Sequence, residues 1–179
     1  MTGCKMENSY FAPGQFVIET EYPDWENIKH IMIRSYVETT DYSDRTQNTC
    51  DINNISLGFN DFIVKKLHDN NIPIEEINAI HSWYIDYKPY GYQKVHNHTN
   101  EDSLISTVMY FEESDGSLVT LLGHTNTEVQ HIEINPTPGK LVILNGNVNH
   151  LTYPSANKRS VLVINFKARW KDDLTNEKV

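Results

Sequence analysis

Gln15-Phe16-Val17-Ile18-Glu19-Thr20 is a short run rich in β-branched and aromatic residues, and it predicts a first strand. The period then changes. Trp25, Ile28, Ile31, Met32 and Tyr36 recur at spacings of three and four behind Asp24. They predict a helix with one apolar face and an N-terminal cap. Leu57, Phe59, Phe62, Ile63 and Leu67 repeat that rhythm over 56–69, and Asn70-Asn71 stops it. Pro73 followed by Glu75 and Glu76 predicts a short third helical turn. Residues 1–13 read as a loose lead-in, and 39–54, rich in Asp, Asn and Thr, as a surface loop.

From Ser82 onward the period is that of strands. Short β runs are predicted over 83–87, 92–98, 104–111, 118–122, 129–134, 141–144, 150–153 and 160–167. Pro89, Gly91, Asp115-Gly116, Gly123, Pro136, Pro138-Gly139, Asn145-Gly146 and Pro154 punctuate them. Many short strands separated by regular turns predict a sandwich or barrel. The chain reads as one domain over 1–179: a helical N-terminal part at about 24–80, a β core at about 82–168 and a charged tail at 170–179.

Composition acts mainly by exclusion. With 15 Lys+Arg against 24 Asp+Glu the net charge is −9, which repels phosphate backbones, and no basic cluster offsets it; no nucleic-acid partner is expected. No apolar run reaches the roughly 20 residues of a membrane span, and the first residues lack the apolar core of a secretory signal. Cys4 and Cys50 match no zinc spacing and fit a reducing compartment. A cytoplasmic protein without a membrane partner is the expectation.

The candidate chemistry sits on histidine. In Gln93-Lys94-Val95-His96-Asn97-His98 two imidazoles are two positions apart on a predicted strand, so both point to one face. His150 lies just after the turn Asn145-Gly146-Asn147, at the start of another β run. Neutral imidazoles bind borderline metals, so His96, His98 and His150 are read as one metal site. Arg159 follows at the start of the last predicted strand. Of the Tyr84, Tyr87, Tyr90 and Tyr92 group, Tyr87 is the choice to line a cosubstrate or substrate pocket. His30, His68, His81, His124 and His131 have no partner at ligand spacing and are read as structural or solvated.

This succession resembles the iron(II)/2-oxoglutarate-dependent oxygenases, in particular prolyl-hydroxylase-like and small bacterial and phage members. The resemblance spans about Ser82 to Lys167. Its carriers are Trp83, Gly91, His96-Asn97-His98, Ser106-Thr107-Val108-Met109-Tyr110, Asp115-Gly116, Pro138-Gly139-Lys140-Leu141-Val142-Ile143-Leu144, His150 and Arg159-Ser160. It implies a mainly β (α+β) double-stranded β-helix, a cupin-like jelly roll, with the N-terminal helices packed on one sheet. It implies Fe(II) as cofactor, with His96 and His150 as ligands, and 2-oxoglutarate and O2 as cosubstrates. Arg159 and Tyr110 would hold the distal carboxylate of 2-oxoglutarate. The implied activity is hydroxylation of a C–H bond in a peptide or small molecule, with release of succinate and CO2.

The chain departs from the family's H-x-D/E…H pattern, because His98 stands at the carboxylate position. Three explanations stay open at this stage. His98 is itself the third ligand; Asp102 or Glu101 supplies the carboxylate; or the chain is a three-histidine cupin metalloenzyme that does not use 2-oxoglutarate. Gly91, His96, His98 and Glu101 nearly match the first cupin motif, each gap one residue short. Cupins have no standing need for Arg159. A non-catalytic β-sandwich binding module is the remaining class.

Overall fold

The computed structural model describes residues 7–34, 41–42, 45–49, 57–98, 104–125 and 128–171. Its strands, in chain order, are β1 (Asn8–Ala12), β2 (Gln15–Glu21), β3 (Asp41–Tyr42), β4 (Arg45–Thr49), β5 (Ile74–Tyr87) and β6 (Gln93–His96). They continue with β7 (Leu104–Tyr110), β8 (Leu118–Thr125), β9 (Glu128–Ile134), β10 (Lys140–Asn145), β11 (Asn149–Thr152) and β12 (Arg159–Trp170). Two helices, α1 (Trp25–Arg34) and α2 (Leu57–Asp69), interrupt the series. An eight-stranded sheet runs β1-β2-β10-β7-β12-β5-β4-β3, and a four-stranded sheet runs β6-β11-β8-β9. The recorded pairings are antiparallel. This is the jelly roll of the sequence reading, with the helices on one sheet.

The alternation of side chains explains the layering. In β10, Leu141 and Ile143 face the helices, while Val142 and Leu144 face the small sheet. In β12, Leu162, Ile164 and Phe166 join the helical side; Val161 and Val163 join the inter-sheet side. Both faces of these central strands are covered, so their sequences are near-continuous apolar runs. α2 contributes Phe59, Ile63 and Leu67, each with no exposed surface, at the predicted spacing. Burial of that kind stabilises by about 1.5–3 kcal/mol per side chain. α2 ends at the predicted place. Asn71 is left-handed (φ 59°), Ile72 N–H donates to Leu67 and Asn71 N–H to His68, which satisfies the last carbonyls.

Four sequence expectations are corrected. The lead-in contains β1, which pairs with β2 across the Pro13-Gly14 turn; an edge strand needs backbone partners more than an apolar pattern. The turn expected at Pro73 is the start of β5, fourteen residues long and paired with β12. The loop at 39–54 contains β3 and β4, whose backbones extend the large sheet beyond β5. β6 also stops at His96, two residues earlier than expected. The side chains of Ile31 and Met32, and all of Tyr36, Cys4, Cys50, Glu101, Asp102 and the last eight residues, lie outside the described part. Among the described residues no helix is long and apolar enough to cross a membrane.

Candidate metal centre

β6 and β11 are neighbours in the small sheet, and their register sets His150 opposite His96. His98 follows the end of β6, but its N–H donates to the Gly146 carbonyl (2.8 Å) in the turn before β11. Asn97 is exposed between the two histidines, and its amide donates to Asn149 Oδ1 at 2.8 Å. The chain thus keeps a strand-like alternation past the strand's end. The ring centroids are 4.2 Å apart for His96–His150, 5.1 Å for His98–His150 and 5.4 Å for His96–His98. One ring nitrogen from each lies within 4.8 Å of the others, close enough for a single ion.

Local contacts set the protonation. The Val148 carbonyl lies 3.0 Å from His150 Nδ1, and the Lys94 carbonyl 2.8 Å from His96 Nδ1. Carbonyls only accept, so these Nδ1 atoms carry the proton and Nε2 keeps a lone pair. Gln93 donates to His96 Nε2 (2.8 Å) and accepts from the Tyr87 hydroxyl (2.9 Å). His150 is 4% exposed. Burial, reinforced by His96, pushes its pKa down to about 3, so it is neutral and ready to ligate across the physiological range.

That burial ties stability to pH. A histidine in the unfolded chain titrates near 6.5, whereas His150 in the metal-free fold resists the proton down to about 3. Between those values the unfolded state binds more protons. Its contribution is therefore fully present above pH about 6.5 and is lost as pH falls, at no more than about 1.4 kcal/mol per pH unit. Melting curves of metal-free protein from about pH 7.5 to about pH 4 measure this; His150→Leu is expected to flatten the slope.

The histidines form one wall of a cavity of about 290 Å³ between the sheets, near the lower end of ligand pockets (about 300–1,000 Å³). Tyr87, Tyr110 and Arg159 line it too, with Trp83, Ile85, Val108, Val161 and Val163. All six residues singled out in the sequence therefore meet in one chamber. Arg159 has no exposed surface. Its guanidinium stacks 4.4 Å from the Tyr87 ring centroid, and donates to the Gly116 carbonyl (2.5 Å) and the Gly91 carbonyl (3.3 Å). Its Nε has no hydrogen-bond partner, and no carboxylate pairs with it among the described residues. Burial lowers its pKa, but an arginine of this kind stays charged. Burial holds the Tyr110 phenol well above its usual value, so it stays a neutral donor.

The donor set fits a divalent transition metal at one side, and the unpaired guanidinium fits an anion at the other. The other histidines stand apart. His68 bonds the Ile74 carbonyl (2.6 Å), and His30 and His131 are exposed. His81 stacks on Trp83, and the side chain of His124 is outside the described part. The sequence reading gave Gln93 and Asn165 no role. Asn165 is legible as the polar residue in line with Arg159, Val161 and Val163 on an otherwise apolar inner row. Gln93 becomes legible only once Tyr87 and His96 are brought together.

No family model and no curated protein matches the chain at the level of sequence. Solved structures do. A prolyl-4-hydroxylase of Pseudomonas putida superposes with a TM-score of 0.65 at 16% identity, over 86% of this chain and 92% of that one. HygX from Streptomyces hygroscopicus, solved with nickel, 2-oxoglutarate and hygromycin B, gives 0.62 at 12% identity over 86% and 82%. The viral collagen prolyl hydroxylase vCPH of Paramecium Bursaria Chlorella virus-1, solved with 2-oxoglutarate, gives 0.59 at 14% identity over 89% and 99%. In fold, the chain is a jelly roll of the kind seen in the 2-oxoglutarate-Fe(II) oxygenases.

Proposed function

We propose that this chain is a 2-oxoglutarate-dependent oxygenase with a metal centre of His96, His98 and His150, using Fe(II) and hydroxylating a C–H bond in a peptide or small molecule. One observation carries the reading: a buried arginine, unpaired at Nε, shares one chamber with three converging imidazoles. A metal and an anion are both needed to complete such a chamber. Three imidazoles leave the charge of a divalent ion uncompensated, and Arg159 adds another positive charge. A dicarboxylate that bridges the two ends neutralises most of it.

In this reading Arg159 takes the distal carboxylate, with Tyr110 as a neutral donor beside it. Tyr87 supports the guanidinium through its ring, and its hydroxyl holds Gln93, whose amide caps His96 Nε2 in the metal-free chain and gives that lone pair up to the ion. Val108, Val161 and Val163 exclude water around the methylenes of the cosubstrate. Bound iron, with 2-oxoglutarate and O2, supplies the oxidising chemistry; succinate and CO2 leave as by-products.

The test is the visible charge-transfer band on adding Fe(II) and 2-oxoglutarate without oxygen, followed by succinate release in air. A metal that binds without any response to 2-oxoglutarate supports the three-histidine cupin instead. No stoichiometric metal at all leaves only a binding module.

A further inference from the structure

We infer that Asn165 is a positioning residue for the metal centre: it fixes His98 in the tautomer that presents Nε2 to the ion, and Ser106 anchors it. The inference rests on the proposed three-histidine centre. Asn165 is 3% exposed and faces the inter-sheet space from β12. Its side-chain nitrogen lies 3.1 Å from His98 Nδ1, and its oxygen 2.8 Å from the Ser106 hydroxyl. Ser106 is its cross-strand partner on β7 and has no exposed surface. The register of β12 against β5 shifts immediately after Asn165, and a bulge of this kind re-aims a side chain.

A carboxamide turned by 180° exchanges nitrogen and oxygen at almost no cost in shape. With nitrogen toward His98, the amide donates to Nδ1, and a neutral ring must then carry its proton on Nε2. With oxygen toward His98, Nδ1–H donates to the amide, and the amide nitrogen donates to Ser106, whose hydroxyl accepts equally well. Only the second arrangement leaves an Nε2 lone pair for a metal. It also makes His98 match His96 and His150, which both donate from Nδ1 to a backbone carbonyl. At His98 it is the Asn165 amide that faces Nδ1, as a backbone carbonyl does at the other two. Metal binding therefore selects the turned amide. Losing an outer contact of this kind costs about 10–100-fold in metal affinity.

The test measures Ni²⁺ affinity of the full chain without 2-oxoglutarate or turnover. Asn165→Leu is expected to weaken Ni²⁺ about 10–100-fold. Asn165→Asp, which can only accept from His98, is expected to stay within about threefold of the wild type. Equal affinity in all three proteins, or an Asp variant as weak as the Leu variant, overturns the inference. A measurement on the wild type alone covers a misfolded variant: with Zn²⁺ bound, ¹⁵N shifts are expected to place the His98 proton on Nδ1, and a proton on Nε2 overturns it. A wild type that binds neither metal removes the proposed centre as well; wild-type binding with unresponsive variants removes only the role of Asn165.

Discussion

His150→Ala is expected to abolish metal binding and, with it, the proposed oxygenase turnover, while leaving the fold intact. The loss should exceed the roughly 10–100-fold of an outer contact, because a ligand itself is gone. His150 is the most buried of the three and sits between the other two, within 5.1 Å of both ring centroids. His96 and His98 are themselves 5.4 Å apart and half-buried, and without His150 they become a two-point site open to water. Stability follows a different course. His150 is a polar ring forced to stay neutral by its surroundings, so its removal gives back a desolvation cost that offsets part of the cavity left behind. Metal content of the purified variant, with a far-UV spectrum and a melting curve, separates loss of the site from loss of the fold. Exposed His131→Ala serves as the control and should change neither. Full metal content in His150→Ala would remove the centre as drawn.

The features legible in the sequence were those with a strict spacing. His96 and His98 share a side because the chain stays extended to His98, and α2 showed itself through Phe59, Ile63 and Leu67. The first half of β5 was misread for a geometric reason. Its pairing with β12 skips Glu75 and Ile80, so two bulges insert extra residues. Ile74 and Ile77 then fall on one buried face three positions apart, which imitates a helix. Glu75 and Glu76 behind Pro73 strengthened the imitation. Twelve residue pairs with β12 outweigh so weak a local preference. The site shows the same division. Arg159 announced itself, whereas its setting did not: the Gly91 and Gly116 carbonyls that hold it are backbone groups with no side-chain signature. Asn165 carried a faint signal, and Gln93 none before folding.

That setting yields the second large effect. Arg159→Met is expected to cost about 2–5 kcal/mol of 2-oxoglutarate affinity, the range for removing one member of a buried charge pair. Metal binding should survive, because the histidines belong to β6, its end and β11, and not to β12. Metal-free stability should hold or rise, since a buried cation without a counter-charge among the described residues is replaced by an apolar chain of similar length, which offsets the lost bonds to the Gly91 and Gly116 carbonyls. Opposite movement of cosubstrate affinity and melting temperature is the signature of a residue kept for its ligand. Gly116→Ala probes the same point without touching the charge. A Cβ at Gly116 would collide with Arg159 Nη1, and would lie 2.7 Å from both the Ser155 Cβ and the Tyr153 carbonyl. The guanidinium must swing and the Tyr153–Ser155 segment must shift as well, so Arg159 loses its aim. A weaker loss of 2-oxoglutarate binding than in Arg159→Met, again with metal retained, is the expected result by titration calorimetry. Should both variants bind 2-oxoglutarate as the wild type does, the anion is held elsewhere, and the chamber between the sheets is not its site.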